Sequence, residues 1–275
     1  MYNDFSKIKF PKEFAYFIGF VWADGCINRN SYIVIEINKD DALSLFNIFS
    51  KVGEFKYSER KREGRKEQSI FFFNNKELSK FFIDNGKYPS SIESHEKVLN
   101  IIPDEYKIYF LRGLIDGDGC FYGRKTNEKW HNIALQFTIG GRYDQDWEYL
   151  IKYLKELGIN MTSVKRIHKS SKSSIIRSTS PIEIEGLIKK LYEIDDKIYL
   201  QRKYEKSHFI INEHKRLKEE SDKRRQKYEI FDGYNHIIVN NLKKYAIDNG
   251  YSYASLNRLA NNKIQKYKNF KIKKL

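Results

Sequence analysis

The stretches Phe17-Ile18-Gly19-Phe20-Val21-Trp22-Ala23-Asp24-Gly25 and Leu111-Arg112-Gly113-Leu114-Ile115-Asp116-Gly117-Asp118-Gly119 decide how this chain folds. Each reads as the last two turns of a mostly apolar helix, with small residues four apart (Gly19 with Ala23, Gly113 with Gly117) and an Asp-Gly pair at its end. Small residues at that spacing let two helix backbones approach closely. Packed in parallel, the two helices would bring Asp24 and Asp118 together. Carboxylates at helix C-termini oppose both the helix dipoles and each other. A divalent cation bound by their oxygens relieves both conflicts.

Working outward, the same pattern of elements follows each stretch. In the first half, a helix is expected over 12–24, opened by Pro11. The segment 32–38 alternates as a half-buried strand, with Ile33, Ile35 and Ile37 inward and Tyr32, Val34, Glu36 and Asn38 outward. Asp40 or Asp41 is placed to cap a helix over 42–52 with an apolar stripe of Leu43, Phe46 and Phe49. A hairpin over 55–73 with a charged tip at 59–66 and a helix over 76–85 complete the half. In the second half, a basic turn at 123–129 leads to a strand over 133–139. Next come a helix over 145–157 capped by Asp144, a hairpin over 163–178, and helices over 181–192 and 196–211. Two copies of one order of elements imply a pseudo-twofold domain.

With both motifs and the repeat in view, the chain resembles the LAGLIDADG homing endonucleases of the single-chain, two-repeat type. The resemblance implies an α+β fold, a duplicated αββαββα unit whose antiparallel sheets form a saddle over the DNA major groove. It also implies Mg²⁺, with Mn²⁺ as a substitute, in a metal site made by Asp24, Asp118, Gly25 and Gly119. Pocket residues would be Gln136, the matching Glu36, and Lys203, which lies in a Leu200-Gln201-Arg202-Lys203-Tyr204 segment similar to the family's lysine-bearing one. The first half departs from the pattern after Gly86-Lys87-Tyr88-Pro89, where Lys87 and Lys97 are both candidates for the missing lysine. Trp22 stands where the second motif has Asp116.

Charge agrees with a polyanionic partner: 51 Lys and Arg against 36 Asp and Glu give +15. No apolar run is long enough to span a bilayer and no signal-peptide pattern opens the chain, so an intracellular, cytoplasmic protein acting as a monomer is expected. Two cysteines, Cys26 and Cys120, do not make a disulfide framework and read as small buried residues at strand starts. Base and phosphate contacts are expected from Tyr32, Asn38, Lys56, Arg60, Arg62, Arg124, Lys125, Lys165, Arg166 and Arg177.

The organisation expected is a first repeat over 1–100, a second over 101–213, a basic linker or helical tether over 214–227, and a small module over 228–275. The module reads as a hairpin turning at Asp232-Gly233, then two short helices capped by Asn240 or Asn241 and by Ser252. It resembles the helix-turn-helix modules appended to phage and intron nucleases, with Tyr253, Ser255, Asn257 and Arg258 on its recognition helix. The functional expectation is a site-specific double-strand DNA endonuclease with a long, asymmetric target. The alternatives are a strand-specific nicking enzyme and a non-cleaving binder, such as a maturase that folds intron RNA. A Met1 start without a splicing Cys or Ser speaks against an excised intein, and the Lys, Asn and Ile content points to an A+T-rich genome such as a phage's.

Overall fold

The structure is a computed structural model that describes residues 2–28, 32–61, 63–64, 66–87, 94–127, 132–168, 171–194, 196–224 and 226–275. The chain divides into two compact units, residues 1–124 with 134–212, and residues 125–133 with 213–275. Among the described residues no helix is long and apolar enough to cross a membrane.

In the first unit the order of elements is α1 (Pro11–Asp24), β1 (Gly25–Ile27), β2 (Ile33–Asn38), α2 (Lys39–Val52), β3 (Lys56–Arg60), β4 (Gln68–Phe73), α3 (Lys76–Asp84) and α4 (Glu96–Ile101). It starts again with α5 (Asp104–Asp118), β5 (Gly119–Asn127), β6 (Asn132–Arg142), α6 (Glu148–Glu156), β7 (Thr162–His168), β8 (Ser171–Ser178) and α7 (Pro181–Tyr192). The two antiparallel sheets have matching orders, β1-β2-β4-β3 and β5-β6-β8-β7. This is the duplicated sheet-and-helix arrangement expected from the repeated motifs.

The close helix pair at the centre is α1 with α5, and the glycines are why they approach so nearly. A Cβ on Gly19 would fall on the backbone of Phe110 and within 2.9 Å of the Leu114 nitrogen. One on Gly113 would fall on the Tyr16 carbonyl and 2.7 Å from the Phe20 nitrogen. Further along, Gly117 lies against Ala23. The order of these contacts makes the helices parallel, so both C-termini lie at the same end. Around α1 the first half is packed with rings: Phe17 meets Phe73 at 4.9 Å and Phe49 at 5.1 Å, both edge-on. Such pairs contribute about 0.5–1.5 kcal/mol each beyond the area they bury.

Several local expectations are corrected. Helix α2 begins at Lys39 with Asn38 as its cap residue, so Asp40 and Asp41 lie inside the first turn and cap nothing. Its buried stripe is Ala42, Leu45, Ile48 and Phe49, whereas Leu43 is 78% exposed and Phe46 is also exposed. The basic segment read as a turn after the second motif is strand, since β5 runs through to Asn127. Helix α6 starts at Glu148, and the side chain that meets its first N–H is that of Asp146, not Asp144. The last helix of the repeat, α8 (Gln201–Arg224), starts later than expected because Asp196 is occupied elsewhere, accepting hydrogen bonds from Tyr109 and Arg112. Cys26 and Cys120 are exposed, not buried.

The segment expected as a linker continues α8 as helix to Arg224, supported by Arg216 paired with Glu213 and Glu220 one turn to either side. In the second unit, β9 (Tyr228–Phe231) and β10 (His236–Val239) form a hairpin whose loop closes on the Asp232 carboxylate, which accepts from the N–H groups of Tyr234 and Asn235. Asn241 caps α9 (Leu242–Asp248) and Ser252 caps α10 (Tyr253–Ala260). A strand the sequence did not announce, β11 (Lys271–Lys274), pairs with β9 to make a three-stranded sheet. Ile230, Leu242, Ala246, Leu256, Leu259, Ala260 and Phe270 form this module's own core.

Candidate active site

The parallel α1–α5 pair delivers Asp24 and Asp118 to one end of the domain. The Asp24 carboxylate lies 3.4 Å from where a Gly117 side chain would start, immediately before Asp118. Both aspartates are open to solvent on one side and crowded by protein on the others. Burial raises the Asp24 carboxyl above its usual range, partly offset by the ammonium groups of Lys203 and Lys87. Asp118 is pushed up to about 6, first by burial and then by the charge of Asp24, against the pull of Lys87 and Lys203.

Two buried lysines back the carboxylates. Lys203 donates to the carbonyls of Ile115, at 3.3 Å, and Gly119. Lys87 donates to the carbonyl of Trp22 at 2.7 Å. The Trp22 carbonyl lies in the last turn of α1, where C=O groups lack a partner within the helix, whereas the Ile115 carbonyl also accepts from the Gly119 N–H and Gly119 lies just past α5. The two lysines stand beside both aspartates, with Lys203 acting more strongly on Asp24 and Lys87 more strongly on Asp118. Burial lowers both ammonium groups, Lys87 to about 8, with Asp118, Cys26 and Asp24 opposing the shift. The sequence left Lys87 and Lys97 as equal candidates; the structure brings Lys87 to the site and leaves Lys97 exposed. Because the Gly119 carbonyl accepts from Lys203, any cation at that oxygen would share it with an ammonium group.

The polar partners of the motif helices differ between repeats. In the second, Asp116 is buried and its Oδ2 accepts from the Tyr16 hydroxyl and the Leu200 N–H, both at 2.7 Å. Leu200 immediately precedes the helix that carries Lys203. Burial raises Asp116 to about 6 even though these two donors favour its charged form. In the first repeat Trp22 packs instead against His95 at 5.6 Å, and His95 stacks on Trp147 at 5.9 Å. None of these ties was visible in sequence, since each joins residues far apart in the chain. Nor was Arg112, buried within the second motif, which binds the carbonyls of Leu191 and Ile194 and the carboxylate of Asp196.

Strand register sorts the remaining candidates by face, because directly paired residues in antiparallel strands share one. Glu36 pairs with Ile70, Asn38 with Gln68, and these with Ser58 and Arg60; Lys56 and Tyr32 fall on that same face, with Tyr32 on Phe72 at 4.7 Å. Tyr32, Glu36, Asn38, Lys56 and Arg60 thus line the face turned away from buried Ile33, Ile35 and Ile37. In the second sheet, alternation with buried Leu135 and Phe137 puts Gln136 on the outer face, together with Arg177 opposite Thr138 and with Arg166. Arg124 alternates with buried Phe121 to the same side. Lys165 does not join them: it pairs with buried Ser174 on the helix side and lies over the Tyr143 ring at 4.9 Å. Arg62 and the side chain of Lys125 fall outside the described residues. In the second unit Tyr253, Ser255, Asn257 and Arg258 lie on α10 and are all at least partly accessible, with Ser255 also packed against the Ser252 cap.

A duplicated sheet-and-helix core whose parallel glycine-bearing helices end in paired aspartates defines a class of protein. Residues 111–206 match the family described as LAGLIDADG endonuclease. That match falls on the second repeat, and the core as a whole has the duplicated fold of solved LAGLIDADG structures. It is similar to the I-LtrWI LAGLIDADG homing endonuclease bound to target DNA, at 18% identity and a TM-score of 0.50, over 78% of this chain and 95% of that one. The LAGLIDADG meganuclease I-AabMI bound to uncleaved DNA aligns over 76% of this chain and 92% of its own, at 14% identity and a TM-score of 0.50. No curated protein sequence matches the chain.

Proposed function

We propose that the protein is a site-specific DNA endonuclease that hydrolyses one phosphodiester on each strand of a long duplex target. The observation that carries this reading is the placement of Asp24 and Asp118, each backed by a buried lysine, at one end of two parallel helices. An all-oxygen pair of crowded carboxylates with raised proton affinity suits a hard cation such as Mg²⁺. Among the described residues no third His, Cys, Asp or Glu joins them, which fits a metal that keeps water and phosphate oxygens as its other ligands. Bound there by Asp24 and Asp118, it would supply charge stabilisation at the phosphate and a more acidic water.

The chain's own groups do the remainder. Lys87 and Lys203, desolvated and held by helix-end carbonyls, carry cations to the two half-sites, where they would stabilise the charge that develops on each phosphate. Glu36 and Gln136 occupy matching outer-face positions from which a water can be oriented. Arg60, Arg124, Arg166 and Arg177 extend from the outer faces towards the duplex, where arginine can fork onto guanine. The C-terminal module would lengthen the target through Tyr253, Asn257 and Arg258.

The test is cleavage of a randomised duplex library with Mg²⁺, followed by sequencing of the ends. A single long target cut on both strands is expected, and Asp24→Asn or Asp118→Asn is expected to abolish cleavage of at least one strand. A protein that selects a target yet cuts neither strand with Mg²⁺ or Mn²⁺ is a binder only, and the nuclease reading fails. Unequal cutting of the two strands, up to a nick, is the second reading, favoured by the different surroundings of Trp22 and Asp116.

A further inference from the structure

The end of α5 is pinned by a carboxylate: Asp116 joins it to the N–H of Leu200, so the motif helix and the segment leading to Lys203 are tied by a direct hydrogen bond. Among the described residues the end of α1 has no carboxylate tie of this kind. Trp22 occupies the equivalent position, its indole Nε1 has no partner among the described residues, and the Lys87 ammonium rests on its main-chain carbonyl. What holds Trp22 is a stack of rings. His95 is 2% exposed and lies between the Trp22 indole and the Trp147 indole, nearly parallel to the latter at 18°. The far ring is itself anchored: Trp147 Nε1 donates to Ser174 Oγ at 2.7 Å, Ser174 Oγ donates to the Arg142 carbonyl, and Gly141 packs directly against the indole. The stack therefore runs from the residue whose carbonyl holds Lys87 to the β6–β8 ladder of the second sheet.

We propose that His95 is a positioning residue, which through the Trp22–His95–Trp147 stack keeps the Trp22 carbonyl under Lys87 and so governs cleavage of the strand that depends on Lys87. The proposal rests on the nuclease reading above. The stack explains why the residue there is a flat, uncharged ring. A flat ring is needed to fill the slot between two indoles, and its surroundings favour the neutral form: burial lowers His95 to about 4, and the cation of Lys87 works in the same direction, against Asp146. A charged group in that slot would repel the ammonium it positions.

The experiment uses the full-length protein and the target recovered from the library, with each strand labelled separately and single-turnover rates measured. Lys87→Ala and Lys203→Ala first assign a strand to each half-site. His95→Ala is expected to slow the Lys87 strand roughly ten- to a hundredfold, as small misplacements of a catalytic group do. The other strand stays within about twofold, so nicked product accumulates. His95→Phe, which keeps the ring, restores the balance between strands. Trp147→Leu, which removes the far ring without touching the site, reproduces the His95→Ala pattern and serves if His95→Ala does not fold. Equal slowing of both strands, unchanged rates, or failure of phenylalanine to rescue would overturn the proposal while the nuclease reading stands. Absence of cutting by the unaltered protein would defeat that reading itself.

Discussion

The two repeats share a backbone plan and differ in how each secures its motif helix. Helix α5 is held by charge and hydrogen bonds, with Asp116 bridging Tyr16 and Leu200. Beside it, Arg202 clamps the start of α8 to Asp41 of the other repeat at 2.8 Å. Helix α1 is held by rings, from the phenylalanine cluster around Phe17 to the stack behind Trp22. One plan therefore tolerates two kinds of mortar, provided that the helix ends meet and each aspartate keeps a lysine behind it. The polar version specifies position by directional bonds, while the aromatic version does so by shape.

The largest effect that would break this comparison lies where the repeats are alike. Gly19→Leu and Gly113→Leu each drive a side chain into the backbone of the facing helix, so both are expected to abolish the folded state, read as loss of a cooperative thermal transition. A folded Gly113→Leu protein would show that the helices need not touch. Next comes Asp116→Ala, which strands the Tyr16 hydroxyl and the Leu200 N–H in a buried place and should cost about 2–5 kcal/mol in denaturant unfolding. Trp22→Phe, which keeps a ring against His95, should cost less, about 1–2 kcal/mol.

Acidity separates the repeats further, since only the second has a buried carboxyl at this position. Folded Asp116 takes up its proton at about 6, against 3.8 for the ordinary group, so between these values the folded state binds more protons than the unfolded one. Stability from this residue therefore falls as pH rises through that window, and the metal-free protein should be more stable at pH 5 than at pH 7 by about 1.3 kcal/mol from Asp116. Asp116→Asn should remove that part of the pH dependence, which paired denaturant titrations would reveal. By the same logic Asp118 is protonated below about 6, and the affinity for Mg²⁺ should drop about tenfold per pH unit there, measured by calorimetric titration. The smallest effect is Arg202→Ala. Its guanidinium is 53% exposed, so solvent screening reduces what the bridge to Asp41 contributes to about 1 kcal/mol in unfolding measurements.

The fold was legible because its deciding features are local and occur twice: Gly19 and Gly113 carry the helix approach, and the Asp-Gly ends mark where each helix stops. The alternation of Ile33, Ile35 and Ile37 likewise gave β2 its inward face. Errors arose where a boundary depended on tertiary partners. In α2 apolar residues fall at 42, 43, 45, 46, 48 and 49, so periodicity alone does not choose between the stripe through Leu43 and Phe46 and the one through Ala42, Leu45 and Ile48 that the core buries. Residues 123–127 read as a turn from their Gly and basic content, yet they extend β5. Short, lysine-rich β11 lacks any apolar alternation strong enough to announce a strand. At the site, Asp24 and Asp118 stood out by motif and Lys203 by its segment. Lys87 could not be preferred over Lys97, because only burial against the Trp22 carbonyl distinguishes them.

The Trp22–His95–Trp147 stack has a genealogical consequence. In an assembly of two identical subunits every substitution is written twice, so a tryptophan replacing the motif aspartate would remove the carboxylate from both halves at once. Joined in one chain, the halves need not match, and here the first leans on an indole of the second. Neither half is any longer a spare copy of the other. Excising the first repeat and doubling it would give a symmetric pair on paper and leave both copies of His95 without the Trp147 ring.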